Sequence, residues 1–213
     1  AYSPVTLDQK NPALVQLLAN FTRLFDTQFN FTQYVASAVL TYRDKVIWEW
    51  GKGLDAGTGR QASPDSVFRI GSLSKVFPCL LGLLAESKGL LSLDDPVKDI
   101  IHNLDFVDPF HTPTSPRRNS FTWRQLASHT AGLPREAPCT YHSCQRTNEE
   151  MMQRLKSTRL ILPAAARPSY SNLGSALLGH FLSQAFHTDY DQLLIETILK
   201  PLHMTNTTLT PPA

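Results

Sequence analysis

Apolar residues recur at helical spacing along most of the chain, except in one short stretch near the N-terminus. The spacing predicts a first helix that starts at Asn11-Pro12, a capping residue followed by a proline suited to the first turn, and ends near Gln28. The exception consists of YVASAVLTY and KVIWEWGKG, which are rich in β-branched and aromatic residues. Because Arg43-Asp44 separates these two runs, the pattern predicts an antiparallel hairpin, although its turn has no glycine.

Helical spacing resumes at Ser72 and recurs in separate segments as far as Leu199. The first of these helices is predicted to run from Ser72 to Lys88 and to end at Gly89, a typical C-terminal cap. Further helices are predicted at 95–101, 122–128, 148–156, 171–186 and 190–199.

A hairpin alone is too small a sheet to be stable, so its edges need cover. We therefore expect residues 1–213 to form a single partial domain that is truncated after its last helix, with a helix and hairpin in 1–67 and a mostly helical part in 68–213. The alternative is that other segments, or a second chain, cover the edge of the hairpin.

Composition narrows the function classes. Hydrophobic residues make up 42% of the 213, enough for a sizeable core, and the formal charge is only +2. Because the one tight basic cluster is Arg117-Arg118, we expect no nucleic-acid partner. The longest apolar run, 76–85, is far shorter than the roughly 20 residues that cross a bilayer, so no membrane span is expected in this chain.

Three acceptor triplets for N-glycosylation begin at Asn20, Asn30 and Asn206, and they favour a secreted or luminal protein. The cysteines agree with this interpretation, because Cys139 and Cys144 lie close together in a polar, turn-rich stretch and could close a small disulfide loop. Cys79 lies within the apolar run and is predicted to be a buried free thiol.

Ser72 and Lys75 form an S-x-x-K pair at the start of an apolar helix. Residues three apart share a helix face, so the Lys75 amine can approach the Ser72 hydroxyl, and a helix N-terminus favours developing negative charge. A neutral lysine there could act as the base for a serine nucleophile. The structural alternative makes Ser72 a helix cap and Lys75 a surface residue.

Tyr170 and Asn172 alternate just before another apolar helix. In an extended segment such residues point the same way, so both side chains could face one cleft. A tyrosine hydroxyl can carry protons, and an asparagine amide can hold a lysine and a substrate carbonyl. A simple cap is the alternative function for this pair.

Several stretches in order resemble the serine β-lactamase-like family, which includes class C β-lactamases, D-alanyl-D-alanine carboxypeptidases and esterases of the penicillin-binding-protein group, and animal β-lactamase-like proteins. The stretches are FRIGSLSK, GLLSLDDPV, FTWRQLASHTAGLP, YSNLGSALLGHFL and LIETILKPLHMTNTTL, and together they run from Phe68 to Leu209. The S-x-x-K motif itself is characteristic of this superfamily.

The resemblance implies an α+β fold of the β-lactamase/transpeptidase type, in which an antiparallel sheet packs with helices beside an all-helical region. It implies that Ser72 is the acylated nucleophile, Lys75 its base, Tyr170 the proton carrier and Asn172 the orienting amide. The expected function is a serine hydrolase that acts on a small-molecule or peptide amide or ester, with no metal and no organic cofactor. A catalytically inactive pseudoenzyme or interaction module on the same scaffold is the alternative, because a fold does not determine function.

Two departures from the family pattern bear on activity. The third family motif, a Lys or His, a small residue and then Gly on a late strand, has no counterpart in this sequence, and it normally supplies an oxyanion N–H. Pro78 removes a hydrogen bond from the helix that carries Ser72 and is predicted to kink its first turn.

Two other groups of polar residues are weaker candidates. His129 could be imagined as a triad base, but the SHTAGLP segment around it has a structural character. His187, Asp189 and Asp191 could suggest a metal site, but polar residues between helices more often form a solvated turn.

Overall fold

Helices dominate the computed structural model, which describes residues 7–28, 34–55, 59–63, 65–102, 104–111, 121–136 and 148–210. The chain divides into two units, residues 1–69 and 70–213. Among the described residues, no helix is both long enough and apolar enough to cross a membrane.

The first unit contains one helix and one hairpin, as predicted. Helix α1 spans Pro12–Gln28, and the Asn11 side chain accepts a hydrogen bond from the Ala13 N–H at 2.9 Å, which caps its start. Strands β1 (Ala36–Tyr42) and β2 (Lys45–Lys52) pair in antiparallel register. The turn closes without glycine because Arg43 itself adopts a positive φ of 57°.

Helix α1 packs on the hairpin through aromatic side chains. The Phe25 ring lies 5.5 Å from that of Trp48 and 5.1 Å from that of Trp50. The two indole N–H groups bind polar side chains on the same helix face: Trp48 donates to Thr22 at 3.0 Å, and Trp50 donates to Asp26 at 3.2 Å. Two tryptophans of β2 therefore form the aromatic contact with the helix.

The second unit is helical. A 3-10 turn spans Gly71–Lys75 and leads directly into helix α2 (Val76–Ser87). The later helices are α3 (Trp123–Ala127), α4 (Asn148–Leu155), α5 (Asn172–Ala185) and α6 (Tyr190–Leu194). A π-helical turn, Ile195–Leu199, follows α6 directly.

The predicted helix at 95–101 is wrong, because only one 3-10 turn, Val97–Asp99, forms there. The backbone of this segment is engaged elsewhere: Pro96 pairs with Thr122 in an isolated bridge, and the Val97 N–H donates to the Phe121 carbonyl at 3.0 Å. The apolar residues of this segment are spaced as in a helix because Val97 and Ile101 are both buried in the core, although no α-helix forms.

The core of this unit lies where α2, α3 and α5 meet. Their apolar faces supply many of its most buried side chains, among them Leu81, Ala85, Trp123, Leu126, Leu178, Phe181 and Leu182. Because α2 is packed through one face against α5, the segment just before α2 is held close to the segment just before α5. The candidate residues come from these two segments.

The predicted helix from Ser72 to Lys88 forms with one change, since its first turn is a 3-10 turn rather than α-helical. Pro78 is the third residue of α2, where the N–H that proline lacks has no partner within the helix. The proline is thus accommodated at the transition between the two kinds of helix. Gly89 follows the helix with a positive φ of 67°, as expected for a C-terminal cap.

Cys79 lies in α2 as a free, half-buried thiol. Cys139, Cys144 and Asn30 lie outside the described residues.

Candidate active site

Three of the candidate side chains meet at the Ser72 hydroxyl. The Lys75 Nζ donates a hydrogen bond to the Ser72 Oγ at 3.2 Å, and the Tyr170 hydroxyl donates to the same oxygen at 2.6 Å. Ser72 is exposed and Tyr170 is 39% exposed, so a substrate can reach both. A serine, an amine and a phenol are thereby joined around one exposed oxygen.

The local winding explains why Ser72 and Lys75 are neighbours. In a 3-10 turn there are three residues per turn, so side chains at positions i and i+3 eclipse one another. Ser72 and Lys75 are therefore neighbours, as the sequence predicts, and the 3-10 turn aligns their side chains better than an α-helix would. Tyr170 reaches the pair from the extended segment that precedes α5.

The structural alternative for Ser72, a helix cap, is wrong. The N-terminal cap position is Ile70, and no side chain caps the turn. Ser74, not Ser72, uses its hydroxyl locally, donating to the Gly71 carbonyl at 2.7 Å. Lys75 is half-buried rather than a surface residue. The side chain of Ser72 is therefore available for chemistry.

Two cations flank the Tyr170 ring. The Lys75 Nζ lies 4.9 Å from the ring centroid and the Arg135 Cζ lies 5.0 Å from it. The pKa of Tyr170 is lowered, chiefly by its interaction with the Lys75 amine and next by the hydrogen bond with Ser72, while the positive charge of Arg135 adds to the effect. A phenol in this setting gives up its proton more readily than an ordinary tyrosine.

Asn172 is the first residue of α5, and its side-chain amide faces a carboxylate. The Nδ2 group donates a hydrogen bond to Glu136, and the Asn172 backbone N–H donates to the Arg135 carbonyl at 2.9 Å. Among the described hydrogen bonds of this side chain, none goes to Lys75, which differs from the expectation that the amide holds the lysine. Glu136 orients the amide instead.

Ser171 fixes the start of α5 to the segment that carries Arg135 and Glu136. Its hydroxyl accepts from the Gly174 N–H at 2.9 Å as an N-terminal cap, and donates to the Pro134 carbonyl at 2.7 Å. Ser171 is 2% exposed, so this double contact lies inside the protein.

His129 lies against the Tyr170 ring, and none of its described hydrogen bonds goes to Ser72. Its ring centroid is 4.7 Å from that of Tyr170, and its Nδ1 accepts a hydrogen bond from the Ser171 N–H at 3.2 Å. Because its contacts are with the tyrosine and the backbone, His129 is not a triad base, in keeping with the structural character predicted for its segment.

Sequence reasoning missed Arg135 and Glu136. Both follow directly after the SHTAGLP segment, and a pair of opposite charges at the end of an apolar, turn-forming stretch was the available signal. Their importance depends on contacts with Tyr170 and Asn172, which lie far away in sequence.

Neither a metal site nor the cavity beside Cys79 offers a second catalytic centre among the described residues. Within the described part of the chain, no group of three or more His, Cys, Asp or Glu side chains could hold a metal ion. A cavity of about 230 Å³ is lined mainly by apolar side chains. Its polar lining residues are Ser128 and Arg124, and Cys79 supplies a thiol. Burial raises the pKa of the Cys79 thiol, which makes it a poor nucleophile.

A family model described as Beta-lactamase matches residues 30–213. The chain belongs to the beta-lactamase family. It is 32% identical over 214 residues to Beta-lactamase-like protein 2 of Dictyostelium discoideum, covering 95% of this chain and 38% of that protein. It is also 29% identical to D-alanyl-D-alanine-carboxypeptidase/endopeptidase AmpH of Escherichia coli (strain K12), covering 83% of this chain and 45% of that protein.

Solved structures of the beta-lactamase family agree with the architecture. The chain superposes on the Beta-lactamase/D-alanine Carboxypeptidase from Yersinia pestis with a TM-score of 0.74 at 28% identity, covering 96% of this chain and 57% of that one. The predicted α+β fold of the β-lactamase/transpeptidase type is thus confirmed. The chain spans less than half the length of the two curated relatives and a little over half of the solved chain.

Proposed function

We propose that this protein is a serine hydrolase that cleaves an amide or ester through an acyl-Ser72 intermediate. Membership of the beta-lactamase family supports hydrolase chemistry in general terms. The observation that carries the more specific proposal is the convergence of the Lys75 amine and the Tyr170 hydroxyl on the Ser72 oxygen.

Acylation begins when the Ser72 oxygen attacks the substrate carbonyl. The Ser72 O–H bond breaks as the new bond from oxygen to the acyl carbon forms, and the Lys75 amine takes the proton after the resting ammonium has lost one of its own protons to solvent. Tyr170 then delivers a proton to the departing amine or alcohol, so that the bond to the leaving group can break. The lowered pKa of Tyr170 suits this transfer, because the phenol releases its proton easily.

Deacylation runs the same proton path in reverse. A water molecule attacks the acyl carbon, its proton passes to the Tyr170 and Lys75 pair, and Ser72 recovers its proton as the carboxylic acid leaves. The two steps use one set of side chains, which explains why the Lys75 amine and the Tyr170 hydroxyl both contact the Ser72 oxygen.

Negative charge on the carbonyl oxygen requires N–H donors. The Ser72 backbone lies at the start of the 3-10 turn, where N–H groups lack partners within the helix. One missing oxyanion donor lowers a rate by about 100- to 1,000-fold. Experiments on this activity use the full-length protein as it occurs in the cell.

The proposal is tested with a fluorophosphonate or a penicillin, either of which should label Ser72 alone. Replacing Lys75 by Met should abolish labelling while leaving the fold intact, and Tyr170→Phe should slow acylation and deacylation by about 100-fold or more, because the ring stays but the proton path is lost. Peptide mapping of the labelled protein identifies the residue, and stopped-flow measurements give both rates.

Matched variants control for the loss of a lysine or a tyrosine elsewhere. Lys88→Met changes an exposed lysine at the end of α2, and Tyr190→Phe changes a half-buried tyrosine at the start of α6, so both should be labelled at the wild-type rate. Equal labelling of the Lys75→Met variant, or a label on another residue, would contradict the proposal. A folded protein that no probe labels would instead be the inactive interaction module.

A further inference from the structure

His129 contacts the backbone on both sides of Tyr170. The Ser169 N–H donates to the His129 carbonyl at 2.8 Å, and the Ser171 N–H donates to the His129 Nδ1 at 3.2 Å. These two amides belong to the residues immediately before and after Tyr170. One histidine therefore fixes the short extended segment that presents the phenol to Ser72.

The His129 ring adds a third contact, since it lies against the Tyr170 ring with 4.7 Å between centroids and 31° between the planes. His129 itself is held in an uncommon conformation with a positive φ of 58°. Hydrogen bonds from the His129 N–H to the Leu126 carbonyl and from the Thr130 N–H to the Gln125 carbonyl anchor it to the end of α3. The position of Tyr170 is thus tied to α3 through one residue.

The protonation state of His129 follows from its partner. A backbone N–H can only donate, so the Nδ1 atom that accepts from Ser171 must carry a lone pair, and the ring must be neutral. A proton added to the ring would go to Nδ1, where it would face the Ser171 N–H and abolish the hydrogen bond. It would also place a positive charge against the Tyr170 ring.

The positive charges around the Tyr170 ring oppose that proton. Lys75 comes from the 3-10 turn, Arg135 lies on the Tyr170 ring, and Glu136, the acidic group of this cluster, is engaged with Asn172 and 3.7 Å from Arg135. Burial lowers the pKa of His129, and the positive charge of Lys75 lowers it further. The neutral form is therefore favoured at neutral pH.

We propose that neutral His129 is the positioning residue that holds the Tyr170 hydroxyl on Ser72, and that protonation of His129 releases Tyr170 and switches the site off. This rests on the proposed function for its effect on rate. The ordinary pKa of histidine is about 6.5 and that of His129 lies lower, so the site is assembled above that range. The Tyr170 hydroxyl leaves Ser72 as the pH falls through the pKa of His129.

Two substitutions at this position separate the hydrogen bond from the titration. Asparagine tolerates a positive φ and presents an acceptor oxygen in the place of Nδ1, but it does not become protonated. Glycine tolerates the same φ and offers no acceptor. At pH 8 we expect labelling of Ser72 in the complete protein to stay within about fivefold of wild type for His129→Asn and to fall about 10- to 100-fold for His129→Gly.

The pH dependence of labelling distinguishes a positioning role from a purely structural one. If His129 were only structural, the ratio of the variant rate to the wild-type rate would not change with pH. The ratio of the His129→Asn labelling rate to the wild-type rate should be constant above pH 7 and should rise by up to about tenfold per pH unit once His129 protonates, because only the wild type loses Tyr170. A ratio that stays constant as the pH falls through the midpoint of the His129 titration measured by NMR, or equal rates for the Asn and Gly variants at pH 8, would overturn the proposal.

A second measurement works without turnover. In nitrogen NMR of wild-type protein labelled in histidine, His129 Nδ1 should lack a proton at pH 8, and its titration should shift the Ser171 amide and Tyr170 ring signals with the same midpoint. If the Ser171 amide and Tyr170 ring signals do not change as His129 titrates, the positioning role is refuted, whatever the labelling rates of the variants. Failure of every probe to label wild-type Ser72 refutes the proposed function instead, and the NMR result then still decides the contact.

Discussion

At the scale of single residues, environment gives the same side chain opposite properties. The pKa of Tyr170 is lowered by Lys75 and by the hydrogen bond with Ser72. Burial raises the pKa of Tyr190 to about 12, and the nearby Asp191 charge adds to this. Tyr170 is suited to moving protons because it is partly exposed beside two cations, whereas Tyr190 serves to pack against Gly179.

Glu136 is a second residue whose role depends on its charge. An ionised carboxylate only accepts hydrogen bonds, so it forces the amide of Asn172 to present Nδ2 to Glu136 and the amide oxygen to the other side. Glu136→Gln can both donate and accept, so the amide orientation is no longer specified. We expect acylation of Ser72 to slow about two- to tenfold, measured by stopped-flow labelling, because part of the population holds the amide reversed.

Glu149→Gln is the control for that prediction, since it removes an exposed carboxylate in the first turn of α4. It should leave the acylation rate unchanged. A Glu136→Gln variant as fast as wild type would mean that other contacts orient Asn172.

At the scale of elements, the connection after α3 is what assembles the site. It contains His129, Arg135 and Glu136, and it passes closely over another piece of backbone at Gly132, whose φ is +78°. A Cβ at this position would lie 2.0 Å from the Leu162 carbonyl oxygen, which cannot move without breaking the hydrogen bond from Ile161 to Gly132. The close approach requires glycine for both space and conformation.

Gly132→Ala should therefore destabilise the protein by about 2 to 4 kcal/mol, because it adds a backbone clash to a strained φ. Chemical denaturation followed by tryptophan fluorescence measures the change in the free energy of unfolding. Gly89→Ala is the matched control: Gly89 has a similar φ of +67° but open space around it, so only about 1 kcal/mol of strain is expected. Equal losses for the two variants would show that the clash is relieved by movement of the backbone.

At the scale of the whole molecule, the acceptor triplets bear on where the protein resides. We propose that it passes through the secretory route. Asn20 lies exposed on α1, and Asn206 lies exposed in the turn region after the last helix. Both can be reached by a glycan without displacing core side chains. Asn30, the third acceptor, is outside the described residues.

When the protein is expressed in a secretory cell, at least one of Asn20, Asn30 and Asn206 should carry a glycan, and the intact mass should exceed that of the polypeptide. Asn→Gln variants at each position are the appropriate controls. Substituting Thr22 instead would also remove its hydrogen bond with Trp48, so the effect could not be assigned to glycosylation. A mass equal to the bare chain would contradict the secretory assignment.

Local patterns in the sequence determined most helices, the hairpin and the closeness of Ser72 to Lys75. Helical periodicity reflects burial of one face, and residues three apart are neighbours in either an α-helix or a 3-10 turn. These statements need no knowledge of distant contacts. They fail at 95–101, where the backbone bonds to Phe121 and the chain forms only one turn.

The tertiary structure alone decided how the site is completed. Tyr170 reaches Ser72 across 98 residues because α5 packs against α2, and no local rule sets that distance. The packing of α3 against α5 brings Glu136 to Asn172 and His129 to the backbone around Tyr170. Sequence spacing identifies which groups are reactive, but orientation, charge partners and protonation state arise only when separate segments are packed together.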